Sequence, residues 1–540
     1  MRAAEAAACK NPKLKIAIIS KVYPIRSHTV CAEGGVAGVM STDNGDSFRL
    51  HAADTIRGGD GLCDIDAVDF FVKNAPEELK QLEDWGCPWS RDSAGNMAVR
   101  AFGGMSVKRT AFAADKTGFF LLHALYERTL KHKNITRLDE WFVTKLLIED
   151  KNVRGVIAMN LRDGKIEAFA ASAVILATGG AGQMYRFTSN SNICTGDGMA
   201  LAMDAGLPLK DIEFVQFHPT GLPRTGILIT EAARGEGGYL INKNGERFLK
   251  NYLPEKLELS PRDAVTRAIM DEIEAGRGID GPFGKHVYLD IRHLGKKTID
   301  EKLPQVRELA QKFAGVDPVK ELIPVMPVCH YFMGGVPTDI NAQTAIHGLF
   351  AAGETACTGL HGANRLGSNS LSECLVFGKV AGENAAAFSP MSNPNSRSLS
   401  TSLLADEESR IKKLINQKGE LRCATVRERL QEIMSEHVGI KRNEKSLEEG
   451  INKILELKEQ SAQISLSDRS LVFNTELTSL FELKNMLTVA EAVVRSALHR
   501  KESRGAHFRT DFPKKDYLNT HIFIKNSDKD MIITTAECKV

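Results

Sequence analysis

The sequence predicts an α/β protein in which short, glycine-terminated strands form the core, an inserted α+β segment interrupts them, and a helical bundle follows. Three observations predict this. Apolar stretches from Ala171 to Ala177 and from Leu349 to Ala352 end in Thr178-Gly179-Gly180 and Gly353-Glu354, and strand ends of that kind are where α/β sheets approach a cofactor. The Gly- and Ala-rich character of the first part of the chain stops near residue 219 and resumes over Gly334–Ala387. From Leu403 to His499 the composition turns charged, with apolar residues at three-to-four spacing, as over Ser446–Leu457. One strand-to-glycine turn is an ordinary tight turn; several in one chain point to a nucleotide cofactor.

The elements follow in order. Arg2 to Ala8 is a small-residue helix, and Lys15 to Ser20 a buried strand closed by a turn at Pro24. Phe142–Ile148 and Val153–Asn160 form a hairpin around Asp150-Lys151-Asn152. Residues 219–329 are the inserted segment. Ser389–Ser402, rich in Ser, Pro and Asn, is a linker. The tail after Asp511 is polar and expected to be poorly ordered.

Composition narrows the function. The chain has 540 residues, 43% hydrophobic and 26% charged, with a net charge of +2, which gives no reason to expect a nucleic-acid partner. No stretch approaches the roughly 20 apolar residues of a membrane span, and the start lacks a signal-peptide layout. Ten cysteines are scattered without any Cys-x-x-Cys pair, which argues against a zinc site or iron–sulfur cluster within this chain and suits a reducing cytoplasm.

Several stretches carry chemistry. In Gln216-Phe217-His218-Pro219-Thr220-Gly221 the proline holds His218 extended and pre-sets its imidazole. In Leu259-Ser260-Pro261-Arg262-Asp263, Ser260 is a natural N-cap and Pro261 a natural first helical residue. Arg262 sits where the helix dipole opposes a cation; on this segment alone, a surface arginine paired with Asp263 is the simpler reading. His330 lies near Gly334-Gly335. Leu360-His361-Gly362-Ala363-Asn364-Arg365-Leu366-Gly367-Ser368-Asn369-Ser370 packs His, Asn and Arg among small residues, where backbone can approach a ligand and arginine can fork onto a carboxylate. Ser370-Leu371 then opens a helix whose N-terminus suits an anion. Arg26-Ser27-His28-Thr29 places another histidine in a polar loop just after a strand. Each is weak singly; their order and joint presence is specific.

Together these stretches resemble the flavoprotein subunits of succinate dehydrogenases and fumarate reductases. The similarity runs from about Arg2 to about Asp516. It includes Trp85-Gly86-Cys87-Pro88-Trp89-Ser90-Arg91, Ala113-Ala114-Asp115-Lys116-Thr117-Gly118, Thr195-Gly196-Asp197-Gly198 and Lys501-Glu502-Ser503-Arg504-Gly505-Ala506-His507. The resemblance implies a Rossmann-like FAD-binding domain of the glutathione-reductase type in two parts, residues 1–218 and 330–390. It implies a capping domain over 219–329, a helical domain over 403–510 and a tail over 511–540. Ser20, Lys21, Ser27, Thr29, Gly34, Gly35, Asp197, Glu354, Ser370 and Leu371 match positions lining FAD, and His28 matches the histidine bonded covalently to the flavin. His218, Thr230, His330 and Arg365 match the clamp on the substrate carboxylates, with Phe102 near the substrate. Arg262 matches the arginine that gives or takes the substrate proton, and Glu231 and Arg234 match its relay; no metal site is implied.

The implied reaction interconverts fumarate and succinate by hydride transfer to or from FAD N5. Arginine's ordinary pKa is roughly 12.5–13.8, so a proton-donating arginine needs a shielded, electropositive site. The resemblance implies an iron–sulfur partner subunit, membrane anchors reached through it, and a peripheral position on the cytoplasmic face of the membrane. Glu33, often Gln in succinate dehydrogenases, and Trp85–Arg91 favour the fumarate reductase branch. The family's first strand and its glycine-rich pyrophosphate loop have no counterpart here, so a flavin-binding subunit with impaired catalysis is one alternative. Aspartate oxidase shares the His-Pro-Thr-Gly loop, but typically lacks the histidine found here as His28. A soluble single-subunit reductase with a haem domain would need a Cys-x-x-Cys-His motif, and there is none.

Overall fold

The computed structural model describes residues 1–388, 396–527 and 530–538, with the backbone alone over 396–401. Helix Arg2–Lys10 forms from alanines, which lose little entropy on ordering. Its small side chains let it lie directly on helix Asn369–Ala387: a Cβ on Gly382 would come within 2.1 Å of the Ala3 carbonyl oxygen. Strand Ile16–Ser20 then pairs in parallel with Ile135–Asp139, setting Ser20 opposite Asp139. The sequence predicts a buried strand here. It is half-buried instead, with Ala17 exposed, because among the described residues it has a single partner strand.

The expected hairpin forms from Trp141–Glu149 and Asn152–Asn160, and Ile166–Ala170 adds a third strand. Its turn places Asp150 and Lys151 at φ 48° and 58°, the left-handed conformation of a tight hairpin. Val174–Leu176, shorter than the apolar run around it, pairs in parallel with Leu349–Ala351. These two strands deliver Thr178-Gly179-Gly180 and Gly353-Glu354 side by side.

The inserted segment has its own apolar cluster, which includes Leu222, Leu240, Val265, Ile269, Leu289 and Val325. Its four-stranded sheet runs in the order Val215–Gly221, Ile323–Phe332, Val287–Asp290 and Tyr239–Ile241. The first two strands reach back into the cofactor-binding part. Their antiparallel register sets Gln216 opposite Tyr331 and His218 opposite Val328, so His218 and His330 arrive on one paired element.

Helices Ser396–Ile415, Cys423–His437, Glu444–Gln460 and Thr475–His499 follow. Their apolar faces, including Val426, Leu480 and Met486, share one continuous core with Met184, Met199 and Leu209. The linker expected over Ser389–Ser402 is corrected in part: residues 389–395 lie outside the described residues, and the backbone is helical from Ser396. Serine disfavours a helix by only tenths of a kcal/mol, and neither Gly nor Pro occurs between Ser396 and Ile415.

The tail is also corrected. Thr520–Asn526 and Met531–Glu537 form an antiparallel hairpin that pairs with Leu209–Lys210. Ile522 and Ile524 alternate inward to buried positions, the period-2 signature of a strand. His521 Nδ1 lies 2.6 Å from Asp211 Oδ2, and the Ile522 N–H donates to Asp211 Oδ1 at 3.0 Å. No helix among the described residues is long and apolar enough to cross a membrane.

Candidate active site

Five separate segments converge on one buried cluster. Strand Val215–Gly221 brings Gln216 and His218, and the loop before helix Ala232–Gly235 brings Thr230 and Glu231. Helix Arg262–Glu274 opens with Arg262, the end of strand Ile323–Phe332 carries His330, and the loop before helix Asn369–Ala387 carries Arg365.

The capping of Arg262's helix differs from the sequence expectation. Pro261, not Ser260, is the N-cap: it stays extended at ψ 145°, and its carbonyl accepts the first helical bond, from the Val265 N–H at 3.1 Å. Ser260 instead closes the short turn Leu257–Leu259. Nor is Arg262 a surface group. It is buried, its Nε donates to Glu231 Oε2 at 2.7 Å, and Asp263 pairs with Arg267 at 2.8 Å. Arg234 backs the same carboxylate at 3.6 Å, and the Gly103 N–H donates to Glu231 Oε1 at 2.6 Å. Burial alone would raise the Glu231 carboxyl, but the Arg262 and Arg234 guanidiniums hold it at about 2.

Gln216 links the two sides of the cluster. Its Oε1 accepts from Arg262 Nη1 at 3.0 Å and from Arg365 Nη2 at 3.1 Å. Arg365 also donates to Ser370 Oγ at 3.2 Å and lies over the Tyr331 ring at 4.2 Å. Burial, with Arg262 nearby, brings Arg365 down to about 10. Three guanidiniums (Arg234, Arg262, Arg365) against one carboxylate (Glu231) leave 3 − 1 = 2 positive charges in a site closed to bulk water.

His218 and His330 stand with ring centroids 5.0 Å apart. Burial and then Arg262 hold both imidazoles well below their ordinary pKa, so both are neutral near pH 7. His218 Nδ1 accepts from the Thr220 N–H at 3.3 Å, which puts the ring proton on Nε2. That buried Nε2, like Arg365 Nε, has no partner among the described residues. Buried donors in this state mark where a ligand's acceptors belong. His330 Nδ1 is held by Ser189 Oγ at 2.7 Å. Phe102 borders the cluster: Gly34 and Gly367 are small where it packs, since a Cβ on either would come within 2.9 and 3.0 Å of its ring.

The second group of sequence-predicted residues lies around this cluster. Ser27 caps the turn His28–Cys31, and the His28 imidazole accepts the Ser191 N–H at Nδ1, 3.2 Å away. Its Nε2 makes no hydrogen bond among the described residues, and burial lowers its pKa to about 4. Thr29 is locked by Gly118, whose Cβ position lies 1.9 Å from the Thr29 carbonyl oxygen, and Gly35, at φ 130°, sits 2.4 Å by the same measure from the Ala111 carbonyl. Arg100 Nε donates to the Gly34 carbonyl at 3.0 Å. Lys21, just past Ser20, contacts Thr195 at 2.8 Å and Asp197 and Glu482 at 2.7 Å each, tying this end of the site to helix Thr475–His499. Leu371 packs in an apolar cluster with Leu375 and Trp89.

These residues fit a flavin dinucleotide. His28 offers an unengaged ring nitrogen, Gly180 lets the Glu354 carboxyl approach the end of its strand, where a Cβ would come within 2.3 Å of Oε1, and Glu354 is a buried carboxyl whose protein hydrogen bond comes from the Phe332 N–H at 3.0 Å. Burial pushes Glu354 up to about 7 from 4.5. A raised carboxyl gives its full stability below pH 4.5 and loses it as pH rises through 7. In the flavin-free chain, Glu354→Gln is therefore expected to stabilise the fold by up to about 3 kcal/mol at pH 8 and by nothing at pH 4.5. Denaturant melts at both pH values check this, and an equal effect at both would contradict it.

Sequence reasoning missed several participants. Gln216 and Asn364 stood inside quoted motifs without a role. Strand alternation from His218 was the signal for Gln216, since residues two apart share a face. Ser189, Tyr331 and Gly103 carry no sequence signal; only folding brings them here.

Residues 1–371 match the family model described as FAD binding domain, and residues 427–538 match the one described as fumarate reductase flavoprotein C-term. The chain is 54% identical over 530 residues to the fumarate reductase flavoprotein subunit of Mycobacterium tuberculosis, covering 96% of this chain and 91% of that one. It is 44% identical over 521 residues to the succinate dehydrogenase flavoprotein subunit of Rickettsia bellii, covering 93% and 87%. A solved quinol–fumarate reductase with menaquinol molecules superposes with a TM-score of 0.96 at 48% identity, covering 100% of this chain and 96% of that chain.

Proposed function

The chain belongs to the family of fumarate reductase and succinate dehydrogenase flavoprotein subunits, FAD-dependent oxidoreductases that interconvert fumarate and succinate, and from that premise we propose how its residues divide the work. The observation that carries the reading is the buried cluster with two net positive charges and unpartnered donors. A dicarboxylate dianion brings two negative charges and acceptor oxygens on both ends, which is the complement of that cluster.

Arg365 forks onto one carboxylate, and the neutral His330 and His218 Nε2–H donate to the substrate, with Thr230 beside them. Clamping both ends withdraws electrons from the double bond and fixes the carbons relative to Arg262. Phe102 closes the site against water. When bound, FAD would give a hydride to, or take one from, the carbon next to the one that exchanges its proton. Arg262 delivers that proton in reduction and takes it in oxidation. Glu231, held ionised, and Arg234 behind it return the proton from outside. His28 anchors the flavin through Nε2; a bond there leaves Nδ1 as the acceptor it already is for Ser191.

The physiological direction is fumarate reduction. Identity is higher to the fumarate reductase subunit, 54%, than to the succinate dehydrogenase subunit, 44%, and Glu33 agrees. Electrons reach the flavin from an iron–sulfur partner subunit that holds this chain on the cytoplasmic face of the membrane through its anchors. The quinol in the solved relative's description supports that route. The test is to oxidise a reduced viologen with fumarate and to reduce a dye with succinate, both on the purified flavin-loaded chain. Both activities are expected, with fumarate the faster. A faster succinate reaction would reverse the direction, and no reaction with either would remove the dicarboxylate reading.

A further inference from the structure

We infer that Gln216 is a positioning residue of this site: a neutral bridge that fixes the spacing of Arg262 and Arg365 without adding a charge between them. The inference rests on the reading of Arg262 as the proton donor and Arg365 as the carboxylate clamp.

The geometry leaves the carboxamide one orientation. Guanidiniums only donate, so the atom facing Arg262 Nη1 at 3.0 Å and Arg365 Nη2 at 3.1 Å must be the oxygen. The amide nitrogen faces two acceptors, Asn364 Oδ1 at 2.8 Å and the Arg365 carbonyl at 2.9 Å. Both N–H bonds are thereby spent. Asn364 is oriented in turn, since its Nδ2 donates to Asp263 Oδ1 at 2.8 Å. Asp263 is next to Arg262 on the same helix, so a chain of amides runs from that helix's first turn through Asn364 to Gln216 and back to Arg262. Every group in the chain is buried or nearly so, and Gln216 is completely buried.

Two like charges held this close separate unless something binds both. A carboxylate would bind them more strongly, but it would cancel one of the two positive charges that receive the substrate. An amide oxygen binds both and cancels none. A side chain without an acceptor leaves two buried donors unpaired and removes the one contact that the two guanidiniums share, so each keeps only its own anchor, Glu231 for Arg262 and Ser370 for Arg365. The proton is delivered only in the transition state, so a small error in Arg262 is felt in kcat; displacement on the order of 1 Å costs about 10²-fold. The substrate charge is felt on binding, so a cancelled charge is felt in KM.

The two substitutions therefore separate. Gln216→Met keeps the volume and removes the acceptor. It is expected to lower kcat for fumarate reduction by about 10²-fold, with KM changing much less. Gln216→Glu keeps the acceptor, adds a charge and gives up the two N–H bonds to Asn364 and the Arg365 carbonyl. It is expected to raise KM by a larger factor than it lowers kcat, and to weaken inhibition by the unreactive dianion malonate by a comparable factor. The experiment is a kcat and KM determination on both flavin-loaded variants, with flavin content and melting temperature measured on the same samples. Wild-type kcat for Gln216→Met, or the same kcat-to-KM split in both variants, overturns the inference and leaves Gln216 as packing. If Gln216→Met fails to load flavin, the KM-dominated loss in Gln216→Glu decides alone. Failure of the underlying reading shows separately, as wild-type chain that does not turn over fumarate or an Arg262→Ala variant that still does.

Discussion

Fumarate reduction by an Arg262→Ala chain is expected to fall by roughly 10²–10⁴-fold, the range that positioned general acids contribute, while FAD stays bound. The magnitude follows from what surrounds the position. Arg262 is the buried group that joins Glu231, at 2.7 Å, to Gln216, at 3.0 Å. Neither imidazole can replace it as an acid, because burial and the neighbouring cations keep His218 and His330 neutral. Arg234 stands one step back, on the far side of Glu231. FAD content should hold, because Arg262 hydrogen-bonds to Glu231 and Gln216, neither of which is among the residues assigned to the flavin. Steady-state assays with a viologen donor, alongside flavin absorbance, measure both quantities. Turnover within about tenfold of wild type would show that the proton comes from elsewhere.

The second large effect concerns His28. Acid precipitation of the wild-type chain should leave flavin in the pellet, and precipitation of His28→Ala should leave all of it in the supernatant. The imidazole is aimed by the Ser191 N–H at Nδ1, and Gly118 holds the turn that carries it. With its pKa at about 4, the ring is neutral at any pH from 6 to 8, so attachment should not vary across that range. Flavin remaining in the His28→Ala pellet would move the anchor to another residue. Flavin absent from the wild-type pellet would mean that the cofactor is held without a covalent bond.

What could be read from sequence was what is local. His218 before Pro219, Arg365 among glycines and His28 after a strand declare themselves because their immediate neighbours fix the backbone, and the same is true of the Asp150-Lys151 turn. Of three failures, one is a local choice between neighbouring residues and two depend on partners far away in sequence. Pro261 rather than Ser260 caps its helix because the proline keeps an extended ψ, a choice of one residue that composition does not fix. The hairpin Thr520–Asn526 with Met531–Glu537 was hidden by the lysines before it, although Ile522 and Ile524 alternate as strand residues do; the strand and the Asp211 carboxylate it docks on lie far away in sequence. Gln216 was visible as a residue but not as a bridge, because its two arginines come from positions 46 and 149 residues on. The charge balance of the site had the same limit, since it exists only once Arg234, Arg262, Arg365 and Glu231 share one enclosure.

The pairing of His521 with Asp211 spans 310 residues of chain. During synthesis at about 5–20 residues per second, Asp211 emerges from the ribosome roughly 15–60 s before the strand that will cover it. Through that interval the edge at Leu209–Lys210 is open and a carboxylate meant for the interior stays in water. The edge at Leu209–Lys210 therefore stays incomplete until residues 520–526 have been made. The nascent chain presents an unpaired edge that a chaperone has time to hold.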